Sequence, residues 1–275
     1  MRHTLRVRNK QRKASPKEGR VSMDTRKNKG PDTVYNRYIK RAIDVVCSLL
    51  VICLLFWLIG IIALLVRIKM GSPVIFCQER PGRIDPKTGR EKMFRLYKFR
   101  SMTNAKDEAG NLLPAAKRLT KFGRILRSTS MDELPEVWNI LRGDMSIVGP
   151  RPLWANYLDY YNDYERQRHL VRPGLTGWAQ VNGRNTASWG KRFAYDIEYV
   201  HNLSFALDLK ILFLTVKKVF VREGVEFKEN HQSIMEYFAE ESRAQQQAEY
   251  AGKIKIVKGL EIGLQEGALD ETPTM

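Results

Sequence analysis

The hydrophobic pattern is most distinctive near the N-terminus. From Val45 to Val66 the chain has 22 consecutive positions without a charged residue. At roughly 1.5 Å per residue, a helix of that length reaches about 33 Å, which is enough to cross a bilayer. A helix in a soluble core is rarely apolar on every face. The pattern therefore predicts a membrane-anchoring helix, whose bounds we place at residues 35–70.

The rest of the chain alternates between short apolar runs and polar turns, which predicts short strands among helices. We predict strands at 73–77 and 93–99, an extended segment at 145–152 and a glycine-rich loop and strand at 171–185. Helices are predicted at 116–127, 131–142, 154–169, 188–201, 207–222 and 232–249. The helix at 207–222 is apolar with spaced lysines, a pattern that fits either core packing or a membrane surface.

Charge is concentrated on both sides of the apolar run. The protein has 47 Lys and Arg against 30 Asp and Glu, and residues 1–30 alone hold eleven basic and two acidic residues. Basic residues also follow the run, and the positive-inside rule favours a cytoplasmic location for both flanks. A re-entrant helix would satisfy both flanks. However, Gly60 is only a weak helix breaker, so a spanning helix stays open as the alternative.

The basic N-terminal segment has two interpretations. It is either a solvated disordered extension or a surface for phosphate groups of anionic lipid or nucleic acid. This charge leaves open the hypothesis that the chain is a membrane-anchored binding protein without catalysis. Three cysteines and four scattered histidines exclude a disulfide scaffold and give no zinc-ligand spacing.

Two adjacent carboxylates, Asp132 and Glu133, follow a basic and hydroxyl-rich stretch. Ser130 and Glu133 have the spacing of a helix capping box, although Pro135 would strain that cap. The alternative is a carboxylate nucleophile or metal ligand beside groups that bind anions. Arg151 suits the second interpretation because the flanking prolines stiffen its backbone, and its planar guanidinium matches a phosphate.

Six longer runs carry a resemblance. They are Lys40-Arg-Ala-Ile-Asp44, Gln78-Glu-Arg-Pro-Gly82, Tyr97-Lys-Phe-Arg-Ser-Met102, Arg127-Ser-Thr-Ser-Met-Asp-Glu-Leu-Pro135, Asn139-Ile-Leu-Arg-Gly-Asp-Met-Ser-Ile-Val-Gly-Pro-Arg-Pro152 and Arg172-Pro-Gly-Leu-Thr-Gly-Trp-Ala-Gln-Val-Asn-Gly-Arg184. Taken together, these runs show that the chain from about Tyr38 to Val225 resembles the monotopic phosphoglycosyl transferases, which are small bacterial sugar transferases.

The resemblance implies that a sugar 1-phosphate passes from a UDP-sugar to polyprenyl (undecaprenyl) phosphate with release of UMP. This is the first membrane step of bacterial surface polysaccharide or glycan assembly. It implies that Asp132 is the nucleophile, forming an aspartyl phosphosugar, that Glu133 lies at Mg²⁺, and that Asp196 supports the site. The phosphate-binding positions that it implies are Lys98, Arg127, Arg151 and Arg184.

The resemblance also implies the setting. The expected partners are the UDP-sugar, the polyprenyl phosphate and the lipid bilayer, with no nucleic acid; a homo-oligomer of the chain stays open. We expect the chain at the bacterial inner membrane with its catalytic domain in the cytoplasm. The family commonly kinks its membrane helix at a Ser-Pro pair, where this chain has Phe56-Trp57.

The predicted fold is α+β. It combines an N-terminal re-entrant or spanning membrane helix with a small, mostly helical cytosolic domain that has short strands and an amphipathic interfacial helix. The predicted division of the chain is a basic disordered tail at 1–34, the anchor at 35–70, the catalytic domain at 71–228 and a polar C-terminal helix and tail at 229–275.

Overall fold

The computed structural model describes residues 31, 33–183, 187–221, 233–245 and 247. Nearly all of the predicted basic tail, together with Arg184 and the end of the C-terminal segment, lies outside the described residues. The described part is a mixed α+β structure with a long apolar N-terminal helix, which confirms the predicted fold class. Its sheets are two separate pairs of short strands.

The long helix α1 (Lys40–Met70) has 31 residues and follows a π-helical turn at Tyr35–Ile39. Its length and composition would allow it to cross a membrane, and only 11% of its most apolar 18-residue window is buried. A core helix of a soluble protein would be mostly buried. Leu54, Phe56 and Trp57 are among the large apolar side chains that α1 exposes near its middle, as a helix in lipid requires.

The N-terminal end of α1 is fixed to the domain by polar contacts. Asp44 is 1% exposed, and its Oδ1 accepts hydrogen bonds from Ser146 Oγ and the Ile147 backbone N–H, both at 3.0 Å. Lys40 forms a buried ion pair with Asp208. Because buried charged groups need partners, the run Lys40–Asp44 is explained by attachment of the anchor.

The C-terminal end of α1 packs on the same domain through apolar side chains. Ile62 and Val66 are buried in one cluster with Phe99 and Leu126. Between the two attached ends the helix is continuous through Gly60. Both ends of the apolar helix therefore contact a single folded unit.

After α1 the chain forms an antiparallel hairpin of β1 (Ile75–Ile84) and β2 (Glu91–Phe99), with a register shift between Pro81 and Ile84. The next helices are α2 (Ala115–Arg118), α3 (Lys121–Ser128) and α4 (Glu136–Arg142). Asn139 of α4, 0% exposed, accepts from Tyr97 N–H at 3.1 Å and donates to the Arg95 carbonyl at 2.7 Å. This bidentate amide fixes α4 against β2.

A short parallel pair is formed by β3 (Ser146–Val148) and β4 (Gly174–Thr176). A Cβ on Gly174 would lie 2.1 Å from the Gly149 backbone nitrogen, so the two backbones meet at a distance that only glycine allows. Between them lie 3₁₀ turns at Ala155–Tyr157 and Gln167–Leu170 and the helix α5 (Asp163–Arg166).

The remaining helices complete the core. They are α6 (Trp178–Gly183), α7 (Trp189–His201), α8 (Phe205–Val221) and α9, which covers residues 233–245. Helices α6, α7 and α8 contribute to a cluster around Val148 and Val200, while α9 closes a second cluster around Leu153 and Phe193.

The structure corrects several predicted elements. Residues 154–169 are not one helix but three short helical segments, because Asn162 begins a new helix by accepting from Glu165 N–H at 2.9 Å. The predicted helix at 116–127 is divided after Arg118, since Thr120 begins a new helix by accepting from Gly123 N–H at 2.9 Å. Residues 178–183, predicted within a loop and strand, are helical.

We predict that Asp44→Ala weakens attachment of the anchor. The substitution leaves the Ser146 and Ile147 donors unsatisfied and removes the carboxylate 3.5 Å from Arg172. Loss of a buried paired charge costs about 3 kcal/mol. The midpoint of thermal unfolding in detergent micelles should fall by several degrees. Asp159→Ala, at an exposed position, is the control, and an equal effect of both changes would contradict this role of Asp44.

Candidate active site

Asp132 and Glu133 lie in a 3₁₀ turn, Met131–Glu133, between α3 and α4. Ser130 immediately before it has φ of 55° in the left-handed region and makes no side-chain capping bond. The Glu133 side chain bonds elsewhere, as given below, so the capping-box interpretation is wrong. Pro135 instead is the N-cap residue of α4, a place where its lack of an N–H costs nothing. The turn aims both carboxylates at basic side chains.

Glu133 is bonded by two cations. Lys98 Nζ lies 2.6 Å and Arg151 Nη2 2.8 Å from the same carboxylate oxygen, Oε1. Lys98 Nζ also lies 3.1 Å from Oε1 of Glu136, in the first turn of α4. Lys98 is thus held between two carboxylates, one of which it shares with Arg151.

The charges give the three carboxyls different acidities. Burial raises the pKa of Asp132 to about 6, with a further contribution from the charge of Glu133. Burial likewise raises the pKa of Glu136 to about 7. For Glu133 burial also opposes ionisation, but the charges of Arg151 and Lys98 and their hydrogen bonds outweigh it and lower the pKa to about 2. Glu133 is therefore the fixed anion of the cluster, and Asp132 is more basic than this neighbour in the chain.

Arg127 comes from the last turn of α3, and its Nε donates to Ser101 Oγ at 2.8 Å. Its charge, with those of Lys98 and Arg151, partly offsets the rise in the pKa of Asp132. The charges of three cations from separate parts of the chain therefore act on one buried carboxylate, Asp132, which is 8% exposed.

The backbone of Arg151 is bonded by one member of a buried ion pair, Arg168 with Asp196. Arg168, 4% exposed, donates from Nη2 to the Arg151 carbonyl at 2.7 Å and to Asp196 Oδ2 at 2.7 Å. Asp196 in α7 is also buried, so the guanidinium of Arg168 is neutralised where it is desolvated. Arg168 therefore links Asp196 to the cluster.

The structure thus brings together five of the predicted site residues, which are Lys98, Arg127, Asp132, Glu133 and Arg151. The sixth described one, Asp196, is connected to them through Arg168. Arg184 lies outside the described residues. The sequence interpretation missed Glu136 and Arg168. Glu136 follows Glu133 by three positions, a spacing that places both on one side of a helical turn and could have indicated it. For Arg168 no local pattern gave a signal, because its partners are distant in the chain.

The chain matches the bacterial sugar transferase family over residues 35–222. That stretch contains α1 and every residue of the cluster. The chain therefore belongs to the bacterial sugar transferase family. The membership confirms the predicted resemblance and the prediction of an enzyme, as against a protein that only binds.

Named members of this bacterial sugar transferase family are similar to the chain. The uncharacterized sugar transferase EpsL of Bacillus subtilis strain 168 is 51% identical over 193 residues, covering 70% of this chain and 92% of that protein. The UDP-glucose:undecaprenyl-phosphate glucose-1-phosphate transferase of Escherichia coli K12 is 40% identical over 199 residues, 69% of this chain. The undecaprenyl-phosphate galactose phosphotransferase of Salmonella typhimurium LT2 is 37% identical over 206 residues. The chain spans 42% of the length of each of the latter two.

The predicted Mg²⁺ would have few protein ligands in this cluster. Within the described residues, no group of three or more His, Cys, Asp or Glu side chains could hold a metal ion. Mg²⁺ commonly binds one or two carboxylates together with substrate phosphates and water. A site with only one or two protein ligands therefore fits Mg²⁺ in a sugar transferase. Glu133, whose Oε1 accepts from Lys98 and Arg151, is the carboxylate that would hold the ion together with the substrate phosphates.

We predict opposite effects on stability for the two neighbouring carboxylates. The pKa of Asp132 is raised by folding, so the stability linked to its proton is present below about pH 4 and lost as pH rises through about 6. At pH 7.5 in a chelating buffer, Asp132→Asn should therefore increase the free energy of unfolding by roughly 1–3 kcal/mol. The gain should shrink as the pH falls below 6.

Glu133→Gln is the matched comparison. The pKa of Glu133 is lowered by its cations, so its charge stabilises the fold above its unfolded pKa and that stability is lost only as pH falls toward 2. At pH 7.5 this change should decrease the thermal midpoint. Thermal unfolding of both variants measured from pH 4 to pH 8 checks the pair, and destabilisation by Asp132→Asn at pH 7.5 would contradict the assigned acidities.

Proposed function

We propose that the protein transfers a sugar 1-phosphate from a UDP-sugar to undecaprenyl phosphate and releases UMP. The observation that carries the proposal is the buried, basic carboxylate of Asp132 among Lys98, Arg127 and Arg151. Relatives that carry the names of undecaprenyl-phosphate sugar phosphotransferases support the two substrates. In this role the protein begins the assembly of a bacterial surface glycan at the inner membrane.

The reaction proceeds in two displacements. A carboxylate oxygen of Asp132 attacks the phosphorus that carries the sugar. The bond from that phosphorus to the bridging oxygen breaks, and UMP leaves with the electron pair. An oxygen of undecaprenyl phosphate then attacks the same phosphorus, breaks its bond to Asp132, and forms the lipid diphosphosugar. Splitting the transfer in this way lets the soluble and lipid substrates bind in turn.

Electrostatic repulsion is the main obstacle, because an anionic nucleophile must approach an anionic diphosphate. Lys98, Arg127 and Arg151 supply fixed positive charge where negative charge develops. Glu133 holds Lys98 and Arg151 in place before the donor arrives, and the diphosphate oxygens then compete for the same donors. Mg²⁺ bound at Glu133 would neutralise further charge on the diphosphate.

The acidity of Asp132 suits the first displacement. With a pKa of about 6, its carboxylate is ionised at neutral pH yet more basic than an ordinary aspartate. The turn also fixes its backbone on both sides, between the left-handed Ser130 and Pro135 of α4. The nucleophile is therefore charged and held in position before the donor binds.

We propose that α1 is re-entrant, with both flanks in the cytoplasm. Asp44 near one end and Val66 near the other contact the same domain, whereas a single crossing would place these ends on opposite faces of the bilayer. The basic flanks agree with this arrangement. A re-entrant helix holds the domain against the headgroups, at the level where the phosphate of the lipid acceptor lies.

Helix α8 would lie at the same membrane surface. Its first turn contains Asp208, the partner of Lys40 at the edge of the apolar run. Four large apolar side chains, each at least half exposed, follow one another along α8 at spacings of three or four residues, which places them on one face. They are Phe205, Leu209, Phe213 and Val216. This face extends the anchor along the bilayer interface.

We expect purified protein in detergent to release UMP when given Mg²⁺, undecaprenyl phosphate and the correct member of a panel of UDP-sugars. Asp132→Asn should abolish release, because the amide cannot act as the nucleophile. Incubation with a donor radiolabelled in the sugar, without acceptor, should leave one label on the wild-type protein and none on the variant. A protein that turns over but never carries label would instead use Asp132 as a general base in a direct transfer.

We expect both flanks of α1 to be cytoplasmic. Arg37→Cys and Lys69→Cys, each in a background with Cys47, Cys53 and Cys77 changed to Ala, are treated with a membrane-impermeant maleimide. Neither should react in cells with a permeable outer membrane and an intact inner membrane, and both should react after lysis. Asp107→Cys, in an exposed loop of the domain, is the cytoplasmic control. Labelling of one flank in intact cells would show that α1 crosses the bilayer.

A further inference from the structure

The C-terminal helix α9 lies beyond the part of the chain that matches the family, which ends at residue 222. It nevertheless packs on the domain. Ile234 is 0% and Phe238 4% exposed, and both lie in one buried cluster with Leu153, Tyr157 and Phe193. Removing two large apolar side chains from water stabilises the packed position of α9. An element with this much buried surface is part of the folded domain.

The first connection from α9 to the active site runs through Leu153. This residue follows Arg151 by two positions, after Pro152. Its side chain is 7% exposed in the cluster that α9 closes. Pro152 restricts the backbone between the two residues. A fixed Leu153 therefore also restricts the backbone position of Arg151, from which its side chain extends.

The second connection runs through Phe193. Its ring centroid lies 6.1 Å from that of Phe238 in α9. On the same ring, the Arg168 guanidinium carbon lies 5.6 Å from the centroid. Arg168 in turn donates to the Arg151 carbonyl at 2.7 Å. The backbone of Arg151 is therefore held by a residue that rests on a ring covered by α9.

A third connection is polar. Tyr237 O–H donates to Glu165 Oε1 at 2.6 Å. The other oxygen of Glu165, Oε2, accepts the backbone N–H of Asn162, which completes a capping box at the start of α5. The 3₁₀ turn that carries Arg168 follows α5 directly. Tyr237 thus fixes the segment that delivers Arg168 to its partners.

We propose that α9 is a positioning element for the reaction, which holds Arg151 at the distance that allows its guanidinium to reach Glu133 and the donor diphosphate. The inference rests on the proposed function only for the role of Arg151 in phosphate binding. Since misplacement of a catalytic group by about 1 Å can cost about 100-fold in rate, removing the α9 contacts affects turnover more than it affects the fold as a whole.

The first test is independent of activity. Phe238→Ala removes the ring that covers Phe193, and Arg243→Ala on the exposed side of α9 is the control. Amide hydrogen exchange of full-length protein should become faster at residues 151–154 and 166–170 in Phe238→Ala alone, with α1 and α4 unchanged. Unchanged exchange at residues 151–154 would overturn the proposal even for a protein whose substrates differ from those proposed.

The second test is a double-mutant cycle in the UMP-release assay. Phe238→Ala should lower kcat by about tenfold, and Arg243→Ala should leave it unchanged. In an Arg151→Lys background, which keeps a positive charge but loses the planar fork, Phe238→Ala should have little further effect, because the element it disturbs acts through the guanidinium. Independent, additive losses would show that α9 does not act through Arg151 and would overturn the proposal.

Tyr237→Phe provides a milder variant in case Phe238→Ala does not fold. It removes one hydroxyl and keeps the apolar packing. We expect a loss of kcat of a few fold that Arg151→Lys also abolishes. A loss that persists in full in the Arg151→Lys background would contradict the proposed connection through Glu165 and Arg168.

Discussion

The site depends on one electrostatic constraint, which is that Asp132 and Glu133 are adjacent in the chain and both largely buried. Two neighbouring carboxylates cannot both be ionised in such a place unless cations offset their repulsion. Lys98 and Arg151 meet this requirement on a single oxygen of Glu133. The result is an unequal pair, with a strongly acidic Glu133 and an Asp132 whose pKa lies near 6. Much of the surrounding structure serves to hold the cations in place.

That requirement explains why elements distant in the sequence converge on the cluster. Asn139 ties α4 to β2 and so brings Glu136 to Lys98. Prolines on both sides of Arg151 and the buried pair of Arg168 with Asp196 hold the second cation. The connections through Asn139 and Arg168 are hydrogen bonds of buried side chains, where an unpaired partner would be costly. The cluster is therefore built to keep its charges still, which is what electrostatic catalysis requires.

Much of this could be predicted from the sequence, for identifiable reasons. The apolar run before Arg67 predicts α1 because lipid demands a long uncharged helix, and Gly143 ends α4 in the left-handed conformation as its position suggests. The adjacent Asp132 and Glu133 were found, but the local pattern favoured a capping box and could not show that Glu133 bonds Lys98 and Arg151. The sequence predicts one helix for the tyrosine-rich segment at 154–169, whereas the structure has turns there. Those turns depend on packing with α7 and α9, which the local sequence does not show. Long-range partners of this kind leave no periodic signal.

Helix α4 connects the long apolar helix α1 to the turn that carries Asp132, the proposed nucleophile. It begins at Glu136, three residues after Glu133. At its other end, the Arg41 guanidinium of α1 donates to the Ile140 and Leu141 carbonyls, both at 2.7 Å. Its seven residues correspond to roughly 10 Å of helix rise. Helix α4 is thus a rigid spacer of fixed length between α1 and the turn that carries Asp132. Under the proposed function, a longer or shorter α4 would shift Asp132 relative to the anchor, and so relative to the membrane that holds the lipid acceptor.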